Sequence, residues 1–221
     1  MKNKFLILSL MISGALPFNV LADVSERTDN GVTWSITNGV LSISADGAMP
    51  DYTTMGYTNG RYTSDAPWEQ YHNEITSIEI ANGVTHIGFG AFYDLSGATT
   101  VNIPSSVNSI ARAAFYKTGL VDVVIPEGVT SIGYDAFDYS QSLQSIVLPS
   151  TLNTITGVDY FSKLFYGNTA LQNVYCFSSQ CETFASQTTS GYANKYRYGT
   201  YDLESGVYTY DDKIILLCKI C

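Results

Sequence analysis

Between residues 75 and 176 the apolar positions obey one rule. A short alternating stretch comes first, then alanine or proline, then an apolar-x-x-apolar step, then Ala-Phe. The first copy is Ile78-x-Ile80, Ala81, Val84 to Ile87, and Ala91-Phe92. The second is Val101-x-Ile103, Pro104, Val107 to Ile110, and Ala114-Phe115. The third is Val123-x-Ile125, Pro126, Val129 to Ile132, and Ala136-Phe137. The fourth is Ile146-x-Leu148, Pro149, and Leu152 to Ile155. Ala81, Pro104, Pro126 and Pro149 are 23, 22 and 23 residues apart, and Phe92, Phe115 and Phe137 are 23 and 22 apart. Phe165 takes the fourth aromatic position after an insertion near 157–163. Leu171, Val174 and Cys176 follow it at the offsets +6, +9 and +11 that Leu143, Ile146 and Leu148 keep from Phe137. A fixed period in this range is the signature of a solenoid.

The alternation predicts short strands over 75–80, 98–103, 120–125, 143–148 and 171–176, paired in parallel. Proline then ends each strand, because it brings no N–H to a ladder. One coil cannot bury its own apolar inside, so the coils stack around a shared core, with Phe92, Phe115, Phe137 and Phe165 lined up within it. Outward positions fall into columns: Glu79, Asn102, Val124, Val147, Tyr175; Ser77, Thr100, Asp122, Ser145, Asn173; and Thr76, Thr99, Val121, Gln144, Gln172. The apolar part of this face, Val121, Val124, Val147 and Tyr175, makes it the candidate binding patch. The competing reading is an ordinary solvated sheet face.

The flanks follow other patterns. Asn38-Gly39 between Trp34-Ser35-Ile36 and Val40-Leu41-Ser42-Ile43 predicts a hairpin within 31–52 that covers one end of the solenoid, with Trp34 and Trp68 as its anchors. Residues 53–65 read as a loop. Residues 178–221 are rich in tyrosine, and Gly206-Val207-Tyr208-Thr209-Tyr210 reads as a strand or hairpin covering the other end. At the N-terminus, Lys2 and Lys4 precede an apolar run of about 12 residues, too short for the ~20 that span a bilayer. Val20-Leu21-Ala22 then offers a cleavage site before Asp23. The expected division is an export signal over 1–22, a cap over 23–70, the repeat solenoid over 71–177 and the Tyr-rich segment over 178–221.

The unit V-x-I-P-x-x-V-x-x-I-x-x-x-A-F resembles the BspA-like (Treponema-type) leucine-rich repeats of bacterial and protist surface proteins. Gly47-Ala48-Met49-Pro50-Asp51-Tyr52 and Ala66-Pro67-Trp68 are similar to the same family's N-terminal region. The resemblance implies an exported, surface-associated repeat protein, adhesive in some members towards host proteins or other cells. Where the family often carries Cys three residues after the Phe, this chain has Leu95, Thr118, Ser140 and Asn168.

Composition narrows the chemistry. With 11 Lys and Arg against 20 Asp and Glu, the net charge is −9. That balance argues against nucleic acid and against an anionic membrane surface. The only histidines are His72 and His86, too few for a histidine metal site. A Ser-His-Asp relay would have to use one of them, and His86 takes an outward position shared with Ser109 and Ser131. Four cysteines in an exported chain permit disulfides. Cys176–Cys181 is the candidate bridge, although Cys176 alternatively serves only as a core residue. Cys218 and Cys221 allow a second local bridge, a zinc site or a redox pair. No catalytic residue, metal or cofactor is assigned. The expected function is binding of an extracellular or host protein, or a glycan, through Glu79, Asn102, Asp122, Val124, Val147, Asn173 and Tyr175. The alternative is a periplasmic or envelope structural repeat.

Overall fold

The computed structural model describes residues 23–52, 56–58, 61–156, 164–181, 195–202 and 207–216. The expected export segment, the insertion at 157–163 and the Cys218–Cys221 pair lie outside them. The chain begins as an antiparallel meander of β1 (Val24–Asp29), β2 (Val32–Thr37) and β3 (Val40–Ala45). Both junctions are Asn-Gly pairs, Asn30-Gly31 and Asn38-Gly39, each with φ of 49° and 80°. Two successive left-handed residues form the hairpin turn whose twist matches its strands, and Asn-Gly adopts it at least cost. The hairpin expected over 31–52 is thus one strand larger. After β4 (Gly47–Ala48), the segment expected as a loop contains a small antiparallel pair, β5 (Gly56–Thr58) and β6 (Arg61–Thr63).

Each coil then lays down two strands. They are β7 (Ser77–Ile80) with β8 (Val84–Ile87), β9 (Thr100–Asn102) with β10 (Ser109–Ile110), β11 (Asp122–Val124) with β12 (Ser131–Gly133), and β13 (Ser145–Leu148) with β14 (Thr154–Thr156). β15 (Asn173–Cys176) opens the next coil. Second strands stack in register, placing Ile87, Ile110, Ile132 and Ile155 in one buried row. First strands stack likewise and bury Ile78, Val123, Ile146 and Val174. β3 pairs in parallel with β7, so the meander prolongs the first face. At the far end β16 (Lys195–Asp202) pairs in parallel with β15, and β17 (Val207–Leu216) returns antiparallel to it.

The first face is not the unbroken strand ladder that the period predicts. It divides into β1-β2-β3-β7-β9 and β11-β13-β15-β16-β17. The break falls where the sequence is one residue short. Phe115 precedes Val123 by eight positions, whereas Phe92 precedes Val101 and Phe137 precedes Ile146 by nine. Gly119 lets the shorter turn pass, since a Cβ there would stand 2.2 Å from Ser96 O. One thread crosses the break: Thr76 N–H donates to Gly39 O (2.8 Å), Thr99 to Thr76 (2.9 Å), Val121 to Thr99 (3.1 Å), Gln144 to Val121 (2.7 Å) and Gln172 to Gln144 (2.9 Å).

The third edge of each coil is the Ala-Phe turn. Phe92 N–H donates to Ala114 O and Phe115 N–H to Ala136 O, both at 2.8 Å. Inside this edge, Trp68, Phe92, Phe115 and Phe137 stack with centroids 6.0, 5.1 and 5.2 Å apart. Trp68 heads the column, and its Nε1–H donates to Ala91 O at 2.8 Å. Trp34 meets Trp68 edge-on at 6.0 Å, so both tryptophans close the core's first end. Phe165 is also buried. Outside this column runs a second one, Tyr93, Tyr116, Tyr139 and Tyr166, at 4.9, 5.3 and 5.3 Å; three of these directly follow the periodic Phe, and Tyr139 stands one residue later. A disulfide joins Cys176 to Cys181, and both residues are buried. Cys176 therefore serves as core residue and bridge at once.

Candidate functional site

Because side chains alternate along a strand, the register of the first face determines which outward residues become neighbours. Ser35, Ser42, Glu79 and Asn102 lie side by side across β2, β3, β7 and β9. Val124, Val147 and Tyr175 continue the column across β11, β13 and β15. The break between β9 and β11 coincides with a change of chemistry from polar to apolar.

The polar half borders a groove of about 720 Å³, lined among others by Glu26, Ser35, Ser42, Glu79, Asn82 and Asn102. Its lining carries two carboxylates, several hydroxyls and amides, and no basic side chain. It can therefore accept hydrogen bonds and cationic groups. In the apolar half Val124 is 57% exposed. Val121, Val147 and Tyr175 are only half-buried, so the exposed apolar patch is smaller than the sequence suggests. Asp122 and Asn173 stand in the adjacent column on either side of Ser145, whose Oγ donates to Asp122 Oδ1 at 2.5 Å.

Of the seven residues expected to form the site, the structure brings Glu79 and Asn102 into the groove and leaves the other five on the second half of the face. Sequence reasoning missed Ser35, Ser42 and Asn82. The signal for the first two was present, since they are the outward residues between Trp34 and Ile36 and between Leu41 and Ile43. What was missing was the parallel pairing of β3 with β7, which joins the meander to the repeat face.

The histidines sit elsewhere. His86 is half-buried on the second face, its Nδ1 2.7 Å from Ser109 Oγ, and that hydroxyl lies 3.1 Å from Asn108 Oδ1. Parallel pairing of β8 with β10 places Ser109 beside it, in the outward position that the repeat assigns to both. His72 Nδ1 is 3.0 Å from Glu69 O, within one turn of 3₁₀ helix.

The most perturbed carboxyl belongs to the tyrosine edge. Asp138 is 2% exposed, accepts the Tyr166 N–H at 2.7 Å and is hydrogen-bonded to Asp135. Burial pushes its pKa up to about 9; the Tyr166 N–H opposes this, and the charge and hydrogen bond of Asp135 add to it. Asp135 Oδ2 lies 3.4 Å from Arg112 Nε. Asp138 is thereby held in its neutral form beside the Asp135 carboxyl.

Parallel strands repeating around one core, with one open polar-to-apolar face, define a leucine-rich-repeat solenoid. The "BspA type Leucine rich repeat region" profile matches residues 70–194 in six copies, and the chain belongs to that family. No curated protein matches. Among solved structures, a leucine-rich repeat protein from Eubacterium ventriosum is similar, with 22% identity over 86% of this chain and 49% of its own, at a TM-score of 0.52. The pneumococcal vaccine antigen PcpA is 17% identical over 82% of this chain and 44% of its own, also at 0.52. The chain spans about half the length of these proteins, and at such identity the likeness concerns the fold. No helix among the described residues is long and apolar enough to cross a membrane.

Proposed function

We propose that this chain is a non-enzymatic recognition module, exported to the cell surface, whose first strand face binds an extracellular or host protein or a glycan. The observation that carries this reading is the pair of in-register runs on one face, Ser35 to Asn102 and Val124 to Tyr175, which sets an acidic, hydroxyl-lined groove beside exposed Val124. A polar groove orients a ligand and an apolar neighbour supplies burial, the usual division of labour in a binding surface. Export rests on the N-terminal segment and on family membership.

The test has two arms. Surface labelling and protease shaving of native cells should reach the protein from outside. Val124→Glu and Asn102→Arg should keep the far-UV circular dichroism of the parent and weaken binding to target cells or matrix by about tenfold or more, the effect of losing ~1.4 kcal/mol at the interface. Unchanged binding by folded variants would move the protein to the structural-spacer reading, and confinement to the periplasm would end the adhesive one.

A further inference from the structure

A second hollow lies at the meander end, away from the strand-face column. The Asn30-Gly31 turn brings Asp29 and Asn30 to its rim. Pro50-Asp51-Tyr52 crosses the first coil: Tyr52 N–H donates to Phe89 O at 2.8 Å, and Asp51 Oδ1 accepts the Phe89 N–H at 2.7 Å. Gly88 permits that crossing, since a Cβ there would stand 1.8 Å from Pro50 O. Asp65 and Pro67 close the other side, and the space enclosed is about 130 Å³.

Two independent features mark this hollow. The first is charge. Asp29, Asp51 and Asp65 all line it, all are exposed, and none forms an ion pair among the described residues. The second is an orphaned polar atom. Tyr52 lines the hollow, is 4% exposed and packs edge-on against Trp68 at 5.2 Å, yet its buried hydroxyl has no hydrogen-bond partner. Leaving such a group unpaired costs on the order of 1–3 kcal/mol. Burial first, then the charges of Asp29 and Asp65, raise the pKa of this hydroxyl, so it stays protonated.

We infer that the hollow receives an arginine side chain presented by a partner protein. Among the described residues no three His, Cys, Asp or Glu side chains converge closely enough to hold a metal ion. Spread carboxylates suit a cation that is itself extended. A guanidinium fork can engage two carboxylates at once and still reach a hydroxyl oxygen. Its methylene stem finds apolar cover on Pro50, Pro67 and the Tyr52 ring.

The test is calorimetric titration of the full chain with N-acetyl-arginine amide, followed in parallel by tryptophan fluorescence, since Tyr52 touches Trp68. Binding on the order of millimolar is expected, weakening as salt screens the rim. Asp29→Asn and Asp65→Asn, both at exposed positions, should each weaken it about tenfold while melting like the parent. Tyr52→Phe should weaken it by a smaller factor, and Val124→Glu should leave it unchanged. Four outcomes would overturn the assignment: no binding at millimolar probe, equal binding by the two Asn variants, loss of binding in Val124→Glu, or tighter binding of calcium or putrescine than of the blocked arginine.

Discussion

Asp138 shows how much one buried group can govern. Its carboxyl is forced neutral by burial beside Asp135, with a folded pKa of about 9 against an ordinary 3.8. The folded state therefore holds a proton that the unfolded chain releases above pH ~4, and stability must fall as pH rises from there to about 9. Denaturant melts from pH 4 to pH 9 should show that slope. Asp138→Asn keeps an acceptor for the Tyr166 N–H and a donor for Asp135. It should flatten the profile and be more stable than the parent at pH 8 by about 1 kcal/mol or more. An unaltered slope would mean that Asp138 ionises freely in the folded protein. The sequence offers no hint of this burial, because the equivalent residue one coil earlier is Tyr116 and one coil later Tyr166. The third coil instead carries Asp138 followed by Tyr139, and Tyr139 swings into the tyrosine column from a left-handed backbone with φ of 56°.

Between elements, the coils are tied at their turns as well as their strands. Gly83 and Gly128, with φ of 107° and 106°, alternate with Ser106 and Thr151 at the same turn position of the following coil. The hydroxyl of each second coil accepts the glycine N–H of the first, at 3.2 Å for Ser106 and 3.0 Å for Thr151. Each also donates to the next carbonyl, Val84 O at 2.8 Å and Val129 O at 2.9 Å. Ser106→Ala or Thr151→Ala should each lower unfolding free energy by about 1–2 kcal/mol. Thr151→Ser should restore most of it, and chemical denaturation midpoints would check both. A second polar tie occupies the third position after Phe115, Phe137 and Phe165. Thr118 and Ser140 hydroxyls lie 3.0 Å apart, and Asn168 Nδ2 donates to Phe137 O at 2.9 Å. These side chains bond the carbonyls of the aromatic edge, a role that small polar residues after each Phe do not announce in the sequence.

For the whole molecule, the ends decide whether the stack holds. A solenoid exposes apolar surface wherever it stops. Here the first end is covered by the meander, with Trp34 and Trp68 seated on the Phe92 ring column. Along its outer edge, β1 leaves Ser25 to Asp29 exposed, a polar and charged rim that discourages edge-to-edge pairing. Trp68→Ala would remove both the head of the ring column and the bond to Ala91 O, so a loss of about 3–5 kcal/mol is expected. Far-UV circular dichroism should report the loss over the entire sheet content, because all coils share one core. A transition confined to the first residues would show that the cap melts independently.

The sequence by itself determined the solenoid. A 22- to 23-residue period, prolines after strands and Phe at fixed offsets leave one way to bury the apolar positions, and the Asn-Gly turn marks the cap hairpin. It also located the outward columns, because strand alternation is a local rule. Tertiary structure alone decided which columns become neighbours, how the meander extends the face through β3 and β7, and where the face breaks beside a turn one residue short. The Asp-rimmed hollow around Tyr52 and the buried carboxyl of Asp138 arise in the same way. They join three aspartates 14 to 36 positions apart in one case and place a carboxyl beside a tyrosine column in the other, through backbone crossings that no repeat encodes.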